Sequence, residues 1–351
     1  MTDIFQLMNN DSGTPSPPNR KRTSRHRLPK PIKVLLFVLV PILAIATAAA
    51  AVLGVYATHL AITFDSNRKH IDEAFPDDDV RPAPTSSGAM NILFLGSDSR
   101  GDSTNVDDTS TTNQRTDSMM LVHIGADRQT VYVMSIMRDL WVPVPGYGTT
   151  KINAAFAYGG SPLTVQTVES LLGVRVDHVA IIDFEGFKAM TDALGGVDVT
   201  SDKAFAGGTY SFREGINHLN GAKALAFVRE RYAFADSDFQ RIKNQQAFLK
   251  GIVSAVLNQS TLRDPSKISS FVGAVSQHLS LDRSFDLPTI ISLGLGLKDI
   301  NQSRIHFFSV PTAGTGTSAD GQSIVNLDKA ATKNLASALA ADNVASFLAD
   351  R

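Results

Sequence analysis

Between Asn91 and Arg138 three apolar runs of strand length each abut a charged cluster. The first, Asn91-Ile-Leu-Phe-Leu-Gly96, runs into Asp98 and Arg100. The second, Ser118-Met-Met-Leu-Val-His-Ile124, is preceded by Arg115 and Asp117. The third, Thr130-Val-Tyr-Val-Met-Ser-Ile-Met137, is followed by Arg138 and Asp139. Short continuous apolar runs bounded by polar residues are the pattern of buried strands. The short Gly125-Ala-Asp-Arg128 link predicts that the second and third form a hairpin. Strands of this kind need cover on both faces, so the stretch points to an α/β fold with a mixed central β-sheet and helices on both faces.

The rest of the chain alternates as that fold requires. Helical patterns cover residues 151–158 and 162–172, with Gly159-Gly160 between them and Gly173 as a C-terminal stop. A strand at 176–184, a helix at 185–194 closed by Gly195-Gly196, and a strand at 197–200 follow. Asn220 is placed to cap a helix over 221–231, and a long helix is predicted over 238–257. Further helices are predicted at 265–279, 287–297 and 328–341, and strands at 304–310 and 322–325. Residues 97–114 are polar and rich in Gly, Ser, Thr and Asp, hence a long loop. Residues 139–149 and 207–219 read as irregular.

Ahead of this domain, charge and hydropathy are sharply segregated. Residues 1–33 carry seven Lys and Arg against two Asp, a net +5, so the remaining chain carries −6 of the formal −1 total. The basic excess is local and does not indicate a nucleic-acid-binding surface. Its Pro, Asn, Ser and Arg content predicts a disordered tail. Residues 34–58 are uncharged and apolar throughout. At about 1.5 Å per residue they span a hydrocarbon core of roughly 30 Å. Basic residues before the span predict a cytoplasmic N-terminus and a single-pass type II cell-membrane protein whose bulk is extracytoplasmic. A cleaved signal peptide is the rival reading, but the apolar run and the polar head before it are long for one. Residues 59–89 read as a stalk, and 90–345 as the catalytic domain. The chain has no cysteine, which excludes disulfides, thiolate metal sites and a cysteine nucleophile.

Two constellations carry chemistry. If the strand before Asp98 and the strand after Asp117 are neighbours, both carboxylates meet at one sheet edge, where they repel unless a cation lies between them. Oxygen ligands without His or Cys favour Mg²⁺ or Mn²⁺. Taken singly, each Asp also reads as a strand end or a turn cap. The second constellation is Phe227-Val-Arg229-Glu-Arg231, then Asp238-Phe-Gln-Arg241-Ile-Lys-Asn-Gln245. Asp238, Arg241 and Gln245 share one helix face near an N-terminus, where anions are favoured. Ion pairing of Asp238 with Arg241 is the ordinary alternative. Guanidinium groups bind phosphate oxygens in pairs and keep their charge. The apolar residues Ile242, Phe248, Leu249, Ile252, Val253, Val256, Leu257, Phe184, Phe187 and Met190 read mostly as plain core, with a subset as the wall of a pocket for a lipid tail. The histidines have no ligand spacing, and neither a Walker loop nor a Gly-x-Ser-x-Gly elbow occurs.

In order, Asn91-Ile-Leu-Phe-Leu-Gly-Ser-Asp-Ser-Arg100, Arg115-Thr-Asp-Ser-Met-Met120, Ser135-Ile-Met-Arg-Asp139, Lys151-Ile-Asn-Ala-Ala-Phe-Ala157, Leu219-Asn-Gly-Ala-Lys-Ala-Leu-Ala-Phe-Val-Arg-Glu-Arg231 and Asp238-Phe-Gln-Arg-Ile-Lys-Asn-Gln-Gln246 resemble the LytR-CpsA-Psr family of cell-wall ligases. The richness in small residues gives an actinobacterial impression. The resemblance implies transfer of a phosphoglycan, of the teichoic acid or arabinogalactan kind, from a polyprenyl-pyrophosphate carrier to a peptidoglycan hydroxyl. It implies Mg²⁺ (or Mn²⁺) on Asp98 and Asp117. Pyrophosphate would be held by Arg115, Arg138, Arg229, Arg231 and Arg241, with Gln245 assisting and Asp238 nearby. The catalytic set is then Asp98, Arg138, Arg229 and Arg241. Asp98 is also the carboxylate assigned to deprotonation, although a metal ligand is a weak base. The sequence departs from the family pattern at Met137, Gln240 and Asn244, where proline, glycine and arginine are usual. Asn244 in particular thins the expected cationic shell. A lipid-pyrophosphate hydrolase and a non-enzymatic envelope receptor are the competing readings.

Overall fold

The computed structural model describes residues 58–85, 87–97, 116–234, 238–257 and 264–351. All of them belong to the second of two compact units, Ala57–Arg351. The basic tail, the apolar run up to residue 57, the loop at 98–115 and the predicted site residues Asp98 and Arg115 lie outside the described residues.

In chain order the elements are β1 (Lys69–Ile71), β2 (Met90–Ser97), β3 (Thr116–Ile124), β4 (Val131–Ile136), β5 (Leu140–Val144), β6 (Gly148–Lys151), α1 (Ala154–Leu172), β7 (His178–Asp183), α2 (Phe184–Ala193), β8 (Val197–Ser201), β9 (Phe205–Gly207), β10 (Tyr210–Phe212) and β11 (Gly215–Leu219). They continue as α3 (Gly221–Arg229), α4 (Asp238–Val256), α5 (Pro265–Ser276), β12 (Leu279–Asp282), α6 (Leu287–Gly296), β13 (Ile305–Ser309), β14 (Thr312–Thr317), β15 (Ser323–Leu327), α7 (Lys329–Ala340) and α8 (Val344–Ala349). The central sheet has the order β1-β12-β7-β2-β3-β4-β13 and is mixed, as the apolar runs predict. A second sheet has the order β14-β15-β5-β6.

Alternation along the central strands sends their side chains into two cores. Leu93, Leu95, Met119, Leu121 and Met134 pack with Val165 and Leu172 of α1 and Leu335 of α7. Ile92, Phe94, Met120, Val122 and Val133 face the other way, toward Leu249 of α4, Val272 of α5 and Leu293 of α6. A third cluster joins Val197, Leu219, Phe227 and Phe248. Helix starts are set locally: Asp183 accepts from Gly186 N at 2.7 Å for α2, and Asn220 from Lys223 N at 3.0 Å for α3. The predicted break in the first helix is present, with Gly159 and Gly160 outside helical dihedrals and Gly173 at φ 66° closing the end.

Three stretches differ from the sequence reading. Residues 139–149 form the β5–β6 hairpin, because Leu140, Val142 and Val144 alternate inward while Gly146 and Gly148 make its turn. Residues 207–219 likewise form short antiparallel strands. The predicted helix at 265–279 stops at Ser276, and Leu279–Asp282 becomes β12, a strand of the central sheet. The segment read as a stalk also packs on the domain. Phe64, Ile71 and Ala74 are buried, β1 pairs parallel with β12, and Arg81 reaches Glu169 Oε1 at 2.7 Å and the Val176 carbonyl at 2.5 Å.

Two buried histidines serve packing. His178 Nδ1 meets Asp282 at 3.2 Å and stacks on Phe285 at 4.4 Å. His123 lies between Asn91 and Asp342 at 2.8 and 2.9 Å.

Candidate active site

Strands β2, β4, β7 and β13 run in one direction and β3 in the other. The C-terminal ends of those four and the N-terminal end of β3 therefore share one edge of the sheet. Open α/β sheets bind ligands at such an edge. Ser97 there pairs with Asp183 of β7 and with Thr116 of β3. Gly96 pairs with Ser118, so Asp117 is the extra residue of a β-bulge. Bulges re-aim a strand beside functional sites. The fold thus brings the backbone of Asp117 next to Ser97, and Asp98 is the next residue in sequence.

The arginines of the two distant constellations meet at this edge. Arg138 follows β4, Arg229 ends α3, Arg231 lies two residues on, and Arg241 and Gln245 stand on the first turns of α4. All five side chains line one cavity of about 620 Å³. Each guanidinium is oriented by a neighbour. Arg229 lies over the Phe184 ring at 4.5 Å and Arg231 over Tyr232 at 4.9 Å. Arg241 contacts Asp238 at 3.1 Å and Arg231 reaches the same oxygen at 3.8 Å. Glu230 Oε1 accepts from the backbone nitrogens of Arg231, Tyr232 and Ala233, which fixes the turn that carries Arg231.

Beyond the guanidinium groups the cavity is apolar. The sheet supplies Phe94, Met120, Val122, Val133 and Phe307, α2 supplies Phe187 and Met190, and α4 supplies Phe248, Leu249, Ile252 and Val253. The residues read from sequence as core or lipid wall therefore divide. Ile242 is in the solid first core, while these line open space. Asn244 does not border the cavity. It is buried, donates to the Phe227 carbonyl at 3.2 Å and accepts from Gln240 at 3.2 Å, so it braces α4 on α3. Gln240 itself donates to Asp202 at 2.6 Å.

Residues not assigned from sequence complete the site. Asp183 lines the cavity and meets His278 Nδ1 at 3.2 Å. Phe184 and Tyr232 seat arginines, as above. Asp139, buried after β4, contacts Arg138 at 3.5 Å and Lys151 at 3.3 Å. Its carboxyl and that of Asp238 act on each other electrostatically. Burial works to raise Asp139, but its interaction with Asp238 and the cations Arg138 and Lys151 outweigh it and hold Asp139 below its ordinary value. Burial and the like charge of Asp139 push Asp238 up, against the pull of Arg241 and Arg138.

A pH dependence follows. A raised folded-state pKa contributes stability that is fully present below the unfolded value of about 3.9 and is lost as pH rises through the folded value. Above that folded value the pair holds two charges and weakens the positive field of the arginines. The apparent KM for an anionic donor is expected to rise with pH across this window. Asp238→Asn cannot ionise, so its KM profile should be flat there. A wild-type profile already flat would contradict the raised Asp238 carboxyl.

The cavity thus has apolar walls and guanidinium groups at its polar end. The LytR_cpsA_psr family model matches residues 55–341, and the chain belongs to that family. The chain is 31% identical over 240 residues to the polyisoprenyl-teichoic acid–peptidoglycan teichoic acid transferase TagU of Bacillus cereus, covering 67% of this chain and 76% of that protein. It is 29% identical over 290 residues to the cell wall biosynthesis protein LcpA of Corynebacterium glutamicum, covering 71% of this chain and 55% of the relative. The solved structure of TagT bound to LI-WTA superposes with a TM-score of 0.59 at 25% identity, over 78% of this chain and 99% of that one.

Proposed function

We propose that this chain moves a phosphoglycan from a polyprenyl-pyrophosphate carrier to a peptidoglycan hydroxyl in cell-wall assembly. The observation that carries the reading is the pairing of four arginines with a deep apolar wall in one cavity. The polyprenyl tail fits the wall formed by α2, α4 and the sheet face, and the pyrophosphate fits Arg138, Arg229, Arg231 and Arg241. Arg115 belongs to the same set by sequence. The named relatives act on a polyisoprenyl-linked teichoic acid and peptidoglycan, or in cell wall biosynthesis, which supports the same class of substrate.

The acceptor oxygen attacks the phosphorus that bears the glycan, the bond from that phosphorus to the bridging oxygen breaks, and polyprenyl phosphate leaves. The acceptor hydroxyl's proton ends on the leaving polyprenyl phosphate or in solvent. Such transfers depend on positioning and on neutralising charge spread over the phosphoryl oxygens. The side chains that line the cavity are suited to both: guanidinium forks hold oxygens in fixed directions, Phe184 and Asp238 hold the forks, and the apolar wall excludes water. Asp98 and Asp117 are the residues that would hold Mg²⁺ or Mn²⁺, which when bound adds positive charge beside the pyrophosphate. Among the described residues no group of three His, Asp or Glu is placed to bind a metal.

A polyprenyl carrier resides in a bilayer. The reading therefore places the chain at the cell membrane, anchored by residues 34–58, with the basic tail in the cytoplasm and the domain outside. Among the described residues no helix is long and apolar enough to cross a membrane.

The test is product analysis with a defined polyprenyl-pyrophosphate glycan, with and without peptidoglycan. The expected result is polyprenyl phosphate together with glycan covalently joined to peptidoglycan. Free glycan phosphate whether or not peptidoglycan is present would make the protein a hydrolase. No turnover would leave a receptor.

A further inference from the structure

We propose that Tyr147 and Tyr158 form a platform for the pyranose rings of the acceptor glycan. The inference rests on the transferase reading above, since it names where that enzyme's second substrate lies.

The two rings are stacked, with centroids 4.6 Å apart and planes 19° from parallel, and the Tyr147 hydroxyl donates to the Tyr158 carbonyl at 3.3 Å. Yet they are 54% and 48% exposed. Large rings on a surface are normally covered, and a fixed aromatic pair left open marks a contact site. Tyrosine suits this role because a rigid ring offers wide contact area at little entropic cost.

The backbone at both positions is built to present the rings. Tyr147 lies at the tip of the β5–β6 hairpin between Gly146 and Gly148, at φ 79° and 73°. Its nitrogen donates to the Val144 carbonyl at 3.0 Å, which closes the turn. Tyr158 immediately precedes the break in α1, where Gly160 adopts φ 59°, ψ −150°. That region of backbone space is essentially reserved for glycine. Two glycine-dependent irregularities in separate elements thus converge on one ring pair.

Location selects the ligand. The hairpin leaves the arginine edge, with Asp139 just before β5 and Lys151 ending β6, joined at 3.3 Å. At about 3.3 Å per residue, Tyr147 stands roughly 13 Å along the arm from Lys151. It is outside the apolar cavity, whose lining includes neither tyrosine. The donor's tail and pyrophosphate are accounted for by that cavity. What extends beyond it is sugar, the donor's own glycan and the acceptor polymer, and their separate KM values tell the two apart. Aromatic faces bind the C–H faces of pyranoses, and the phenol groups meet their hydroxyls. Trp141, half-buried, lies on the opposite face of β5 from Leu140, Val142 and Val144, at the base of the same arm.

The experiment uses the full chain and a soluble, uncross-linked peptidoglycan oligosaccharide. In the double variant Tyr147→Ala/Tyr158→Ala, KM for the oligosaccharide is expected to rise about tenfold, equivalent to ~1.4 kcal/mol. Turnover at saturating oligosaccharide and KM for the lipid donor should stay within twofold, and Tyr147→Phe should keep the wild-type KM because the ring remains. An unchanged acceptor KM, or an equal loss for both substrates, overturns the proposal. Should the double variant fail to fold, Tyr147→Ala alone is expected to raise acceptor KM about threefold, and no rise counts against it. Equilibrium dialysis of the labelled oligosaccharide separates this claim from the transferase reading. Binding by wild type that is lost in the variant supports the platform even if no transfer occurs. Wild type that binds no oligosaccharide, or a variant that binds it as well, contradicts the platform.

Discussion

Arg138→Ala is expected to lower glycan transfer by about 10²–10³-fold, or ~2.7–4 kcal/mol of transition-state stabilisation. Among the described residues Arg138 is the cavity arginine that follows a strand of the central sheet, while Arg229 and Arg241 stand on helices. Removing it takes away the contact that the end of β4 supplies to the phosphoryl oxygens. Arg138→Lys should recover little, because an ammonium restores charge without the planar fork. Stability should change far less than activity: the side chain is partly open, and its contact with Asp139 at 3.5 Å leaves Asp139 still paired with Lys151. The measurement is release of polyprenyl phosphate, with thermal unfolding as the control. Activity within about threefold of wild type in a folded variant would contradict the arginine cradle.

The second large effect is expected from closing the lipid wall. Val253 lines the cavity on α4, near the helix end farthest from Arg241. Tryptophan at this position puts an indole into the space assigned to the tail. Each buried methylene of a tail contributes about 0.8 kcal/mol, so a few displaced isoprene units remove much of the donor's binding. Val253→Trp should reduce kcat/KM for a long polyprenyl-pyrophosphate donor about 100-fold, equivalent to ~2.7 kcal/mol, and leave a two-isoprene donor within about threefold. The contrast between donors separates a blocked tail from a damaged fold. Equal losses on both donors would mean that the indole disturbs the domain rather than the lipid.

The central sheet was legible because Ile92–Leu95, Met119–Val122 and Val131–Ile136 are short, dense apolar runs whose burial depends little on what surrounds them. The β5–β6 hairpin was hidden by Pro143, Gly146 and Gly148, which punctuate a sequence whose Leu140, Val142, Val144 alternation was the better signal. β12 was absorbed into the preceding helix because four residues are too few to show a period. Arg229, Arg231 and Arg241 were legible as guanidinium groups at helix ends. Their meeting with Arg138 depends on how α3 and α4 pack beside the sheet edge, which the motif order implies only through the family resemblance. The cavity itself was half legible. Phe248, Leu249 and Val253 have the composition of a core whether the space beside them is filled or open. The coupling of Asp139 to Asp238 was not legible, because the two are ninety-nine positions apart and each looks like an ordinary partner for a neighbouring arginine.

If the arginine-ended cavity holds the lipid of a pyrophosphate donor, photo-crosslinking will report it. A polyprenyl-pyrophosphate glycan with a diazirine near the middle of the tail is irradiated with the full-length protein, and the labelled peptides are sequenced. Labelling is expected on the cavity wall, at Leu249, Ile252 or Val253 of α4 or at Phe187 and Met190 of α2, with its loss in Val253→Trp. Labelling confined to residues outside the cavity, unchanged by Val253→Trp, would contradict it.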